Sequence, residues 1–174
     1  METRNQYKLQ FSGLALGSHQ VEYSISDSFF EDTAFPDIEK GKLSVIVDLD
    51  KQINMMVFQF HIKGVVELTC DRCLDTFDFP IDINEQLIVK QVVEPTESND
   101  EMLVNIDIKE HTFDFSHYIY EFVSLALPMQ HVHPEDENGV SQCNPEMIKI
   151  IEEHSKSQFN SQWDALKNLD LNNN

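Results

Sequence analysis

Cys70 and Cys73 are separated by two residues in VVELTCDRCLDTFDFP, the stretch from Val65 to Pro80, and no other segment of the chain concentrates as much chemistry. A tight turn can aim two thiolates at this spacing toward one tetrahedral metal ion, each about 2.3 Å from a zinc. The same spacing also suits a redox disulfide, which needs one thiol of depressed pKa, usually at a helix N-terminus in a βαβ setting. Here both flanks read as strands, and Asp71 and Asp75 disfavour a thiolate, an effect that Arg72 only partly offsets. Metal ligation is favoured over redox work, and a tight hairpin tip without metal is the plain alternative. The chain has three cysteines, an odd count that argues against a disulfide framework.

The elements around the pair follow from hydrophobic periodicity. Tyr7, Leu9 and Phe11 alternate, as do Val21, Tyr23 and Ile25, which predicts a first antiparallel pair. After an acidic loop through Pro36 to Gly41, Leu43, Val45, Val47 and Leu49 alternate, Asp50-Lys51-Gln52 turns, and Met56, Phe58, Phe60 and Ile62 line the returning strand. Gly64 predicts a bulge or bend before Val66 and Leu68 resume the inward face. Phe77, Phe79, Ile81 and Ile83 follow at period two, so the thiols sit at a hairpin tip. Leu87 to Val93 extends that strand, PTESNDE is a solvated loop, and Leu103, Ile106 and Ile108 predict one more short strand.

The period then changes. Phe115, Ile119, Phe122, Val123 and Ala126 recur at helical spacing, with Asp114 or Ser116 as cap and Pro128 as stop. A polar loop carries His131, His133 and the acidic run Glu135 to Glu137 up to Cys143. Asn144-Pro145 then opens a helix through Met147, Ile148 and Ile151, since proline suits the first helical position. A last amphipathic piece, Phe159 to Leu169, contains Trp163 and Leu166. The expected fold is α+β: an antiparallel β-rich sheet or partly open barrel in the N-terminal two-thirds, with C-terminal helices packed on it. Residues 1–155 are expected to form a single domain, and 156–174 an amphipathic C-terminal segment with a frayed end.

Charge narrows the function. Twelve basic against thirty-one acidic residues give a net charge of −19, which repels a phosphate backbone unless the cations gather on one face. A basic protein partner is favoured; direct RNA binding would require Arg72, Lys63, Lys90 and Lys109 to converge. Met1 to Gln10 lacks the apolar stretch of a signal peptide, and no later run approaches the roughly eighteen apolar residues of a membrane span. A cytoplasmic location is expected. No P-loop, dinucleotide fingerprint, nucleophile elbow or HExxH helix is present, so no catalytic residue is assigned.

Gly64, Val66, Leu68, Cys70, Arg72, Cys73 and Leu74, followed by a helix ending in Leu125, Leu127 and Pro128, resemble the YceD family of large ribosomal RNA subunit accumulation proteins. The resemblance spans roughly Gly41 to Cys143. It implies a role in synthesis, processing or stability of large-subunit (23S) ribosomal RNA, without catalytic residues. The resemblance also implies a four-thiolate zinc site completed by cysteines after the LxLP helix, where this chain reads HVHPEDENGVSQC and offers only Cys143. Cys70, Cys73 and Cys143 with His133 or His131 make a three-sulfur, one-nitrogen set suited to structural zinc. The expected function is a non-enzymatic ribosome-biogenesis factor that binds basic ribosomal proteins or assembly intermediates. The other classes are a direct RNA binder and an enzyme using the thiols or a zinc-bound water.

Overall fold

The strongest alternation in the sequence builds the centre of the sheet. The computed structural model describes residues 7–31, 38, 40–96 and 102–157. In chain order these form β1 (Lys8–Gln10), β2 (Gly17–Ile25), α1 (Asp27–Glu31), β3 (Lys40–Lys51), β4 (Met55–Thr69), β5 (Thr76–Val92), β6 (Leu103–Asp107), β7 (Thr112–Asp114), α2 (Ser116–Leu125) and α3 (Pro145–Ser157). The loop expected at Pro36, the PTESNDE loop from Glu97 onward and the Trp163 segment lie outside the described residues. Two compact units result, divided at Leu68–Thr69, Asp75–Thr76 and His131–Val132.

The first unit holds an open five-stranded sheet of order β2-β3-β4-β5-β6 and a separate two-stranded sheet of β1 and β7. β3 and β4 run antiparallel from Lys40↔Glu67 to Lys51↔Met56, which places Leu43, Val45, Val47, Leu49, Met56, Phe58, Phe60 and Ile62 on one buried face, as the alternation predicts. Phe60 and Phe122 meet edge to face at 5.3 Å, so α2 closes over that surface through Ile119, Phe122 and Val123. Phe58, Phe113 and Phe115 extend the aromatic layer. Each such ring removed from water stabilises the fold by roughly 2–3 kcal/mol.

Three local expectations are corrected. β1 pairs with β7, Leu9 opposite Phe113, while β2 pairs along its whole length with β3. Only β2 is long enough to match the inward positions of β3, and the short β1 is left for the residues ahead of α2. Gly64 makes no bulge: the β3–β4 register runs unbroken through Leu43↔Gly64. The glycine is needed because its φ is 155° and a Cβ there would collide with the Lys42 carbonyl oxygen and lie 2.8 Å from the Leu43 Cα. β6 joins β5 in parallel, Ile88 opposite Leu103, within a sheet expected to be antiparallel. Phe29 and Phe30, for which the sequence carries no prediction, belong to the one-turn helix α1, too short for periodicity to reveal, and both are buried.

α2 begins as anticipated, although Phe115 is its first flanking residue; the Asp114 carboxylate accepts the Ser116 N–H at 2.9 Å and supplies one of the end partners that a helix lacks. α3, in the second unit, starts at Pro145. There the Asn144 side-chain oxygen accepts the Glu146 N–H at 3.1 Å, and the Asn144 carbonyl accepts the Ile148 N–H.

Candidate metal centre

The Cys70–Asp75 turn is shaped by its own backbone. The Leu74 N–H donates to the Cys70 carbonyl and the Cys70 N–H to the Asp75 carbonyl, both at 2.9 Å. Closing the loop so tightly forces Leu74 to φ 64°, a left-handed conformation that costs a side-chain-bearing residue about 1–2 kcal/mol. The leucine side chain gains little in return, since it is 67 % exposed. Arg72 forms no ion pair among the described residues; its contribution is its amide N–H, which with that of Cys73 points at the Cys70 sulfur.

The second half of the site is a small hairpin. Glu135 bridges Ser141, the Asp136 N–H donates to the Val140 carbonyl, and the Gln142 N–H donates to the Pro134 carbonyl. Extended by one step, the same pairing sets His133 opposite Cys143 at the hairpin's base. The Asp136 carboxylate holds the tip by accepting the N–H groups of Val140 and Asn138, which keep its pKa below the usual carboxylate range. Asp136 thus serves the turn, and the acidic run Glu135 to Glu137 is a solvated surface feature. Asn144 links the two halves, its side-chain amide donating to the Asp75 carboxylate at 3.1 Å.

The ligand atoms of Cys70, Cys73, His133 and Cys143 all lie within 4.8 Å of one another. Cys70 and Cys143 have their sulfurs 3.8 Å apart, and the Cys73 sulfur is 3.4 Å from His133 Nδ1. A tetrahedron with zinc–sulfur bonds of about 2.3 Å and a zinc–nitrogen bond of about 2.05 Å has edges of roughly 3.8 Å and 3.6 Å. The donor set therefore fits a zinc ion in number, chemistry and spacing. All three cysteines are free and buried. Of the two histidines open to the sequence, His133 joins the cluster and His131 does not.

The electrostatics favour a thiolate at Cys70. Burial pushes the Cys70 thiol up, but the N–H groups of Cys73 and Arg72, with the side chain and backbone of His133, outweigh it and bring the pKa to about 6. Cys73 is raised, by burial and by the neighbouring Cys70, against the N–H groups of Asn144 and Asp75. Two thiols this close share one proton more readily than they lose both, until a cation joins them. Sequence reasoning missed Asn144 and Asp75 as a link between the halves; the Asn-Pro signal revealed the cap, but not the residue that the side-chain amide would reach.

The model of the YceD family, described as large ribosomal RNA subunit accumulation protein YceD, matches residues 58–170, from within β4 through both halves of the cluster. The chain belongs to the YceD family. Its description connects this family with ribosome biogenesis, in agreement with the resemblance carried by the CxRCL turn and the LxLP helix. No similar curated protein and no similar solved structure was found. Among the described residues no helix is long and apolar enough to cross a membrane.

Proposed function

We propose that this YceD-family protein is a non-enzymatic ribosome-biogenesis factor, held in shape by a structural zinc, that supports accumulation of large-subunit (23S) ribosomal RNA by engaging basic ribosomal proteins or basic assembly intermediates. Family membership carries the first part of this reading. For the metal, Cys70, Cys73, Cys143 and His133 would be the ligands. Four protein donors leave no position for a water, so zinc here ties two loops together and supplies no hydrolytic chemistry.

The net charge of −19 supports a cationic partner, because long-range attraction speeds encounter and added salt weakens it. Two of the cations expected of an RNA-binding face, Lys63 and Lys90, are paired or set apart on the sheet. Lys63 pairs with Asp82 at 2.8 Å, and from Asp82 to Lys90 the strand advances roughly 26 Å. The reading puts the protein in the cytoplasm, where ribosomal components meet.

Tagged protein purified from cells at low and at moderate salt, without chelator, tests both halves. Expected are about one zinc per chain by elemental analysis and ribosomal proteins or large-subunit precursors that co-elute at low salt and fall away at moderate salt. A metal-free protein would overturn the structural role of zinc, and a small metabolite or redox partner in the eluate would overturn the ribosomal reading.

A further inference from the structure

Among the described residues β2 stands at one edge of the five-stranded sheet, with β3 as its only neighbour. At the β3–β4 turn the Gln52 N–H donates to the Met55 carbonyl, so even-numbered residues of β3 exchange hydrogen bonds with β4 and odd-numbered ones with β2. The register Gly17↔Lys51 to Ile25↔Leu43 then turns the N–H and C=O groups of Ser18, Gln20, Glu22 and Ser24 away from β3. Tyr7 agrees with this assignment, its hydroxyl donating to the Ser24 carbonyl oxygen at 3.5 Å. The backbone groups of Ser18, Gln20 and Glu22 have no partner among the described residues, and all three residues are exposed.

Edge strands are ordinarily protected by lysine, proline or a bulge. β2 has none of these: its sequence is GSHQVEYSI and its pairing with β3 is regular throughout. The surface beside the edge is acidic. Glu22, Asp48 and Asp50 share the solvent face of β2 and β3, where a shallow cavity of about 630 Å³ is lined by Ser18, Gln20, Asp48, Asp50, Val57 and Gln59. On the same face His61 pairs with Asp48 at 3.3 Å and Lys63 with Asp82, and Lys51, on the other face, is committed to the carbonyl oxygens of Phe11 and Leu14.

Building on the cationic-partner reading, we infer that the free edge of β2 takes an extended, lysine- or arginine-rich protein segment as a sixth strand. Backbone pairing with Ser18, Gln20 and Glu22 supplies the attachment, and every second side chain of the guest falls on the face bearing Glu22, Asp48 and Asp50. A strand spacing of about 4.8 Å puts the carboxylates of β3 within reach of a long cationic side chain. A second copy of this chain is disfavoured as occupant, because two chains of charge −19 repel. Nucleic acid is disfavoured by the same three carboxylates.

The probe is a peptide of alternating lysine and valine matched in length to β2, added to the full chain at low salt while amide hydrogen exchange is followed. Binding is expected to slow exchange at Ser18, Gln20 and Glu22 by about ten-fold or more, and a peptide N-methylated at alternate residues, equal in charge but unable to pair, should bind about ten-fold more weakly. Gln20→Pro should weaken binding similarly and leave the fold intact, since the Gln20 N–H takes no part in the sheet. Equal binding of the two peptides, with the three amides unchanged, would overturn the edge inference and leave the cationic-partner reading standing. Failure of both peptides to bind would count against both. Protection of these amides in the absence of peptide, together with a dimer in sedimentation, would assign the edge to a second copy and overturn the inference.

Discussion

The two units bury different things. The first seals phenylalanine, valine, leucine and isoleucine between a sheet and α2; in the second, among the described residues, the only buried residues are Cys70, Cys73 and Cys143. Its helix α3 leaves Ile150 and Ile151 exposed at 47 % and 44 %. Apolar burial this small among the described residues does little to offset the conformational entropy of ordering the loops, and metal coordination is a staple that small domains commonly use. Burial therefore accounts for the first unit, whereas the proposed coordination would order the described part of the second. On the proposed reading, three thiols and an imidazole do among the described residues of the second unit what apolar side chains do in the first.

The largest effect expected is on the second unit. Cys143→Ser should abolish zinc binding and release the amides of residues 132–157 to near free-chain exchange, because structural zinc supplies on the order of 10 kcal/mol, while β2 to β5 stay protected. The converse substitution sharpens the contrast. Phe60→Ala empties a fully buried site beside Phe115 and Phe122 and should lower stability by about 3–5 kcal/mol in urea titration, with zinc content unchanged at temperatures where the sheet is folded. Next in size, Gly64→Ala should destabilise the first unit by about 1–3 kcal/mol, since the new methyl group meets backbone atoms that cannot move aside.

The smallest change has the opposite sign. Leu74→Gly relieves the left-handed backbone of the thiol turn at the loss of a mostly exposed side chain, and should stabilise the metal-bound form by about 1 kcal/mol. In chelator competition this appears as roughly five-fold tighter zinc. A loss of affinity instead would mean that Leu74 makes a contact worth more than its strain.

What the sequence revealed of this architecture was mostly local. Alternation from Leu43 to Ile62 identified the central hairpin, CxxC identified the turn, and Asn144-Pro145 located the start of α3, because each is written in adjacent residues. The partner of β1 was illegible: three residues that alternate look the same beside β2 as beside β7, and long-range packing makes the choice. Parallel pairing of β6 depends on the path of a connection, which composition does not specify. At the cluster the three cysteines were plain, but choosing His133 over His131 required the hairpin from Pro134 to Gln142, whose register alone sets His133 across from Cys143. Gly64 shows the reverse case, a correctly noticed glycine whose reason was close backbone approach and not a bulge.

The central claim is that coordination, not burial, orders the second unit. It is tested most directly by hydrogen exchange on the full chain before and after zinc is stripped with a chelator. The account predicts loss of protection confined to residues 70–75 and 132–157, restored when zinc is added back. Protection of those residues unchanged by stripping, or lost together with that of β3 and β4, would contradict it.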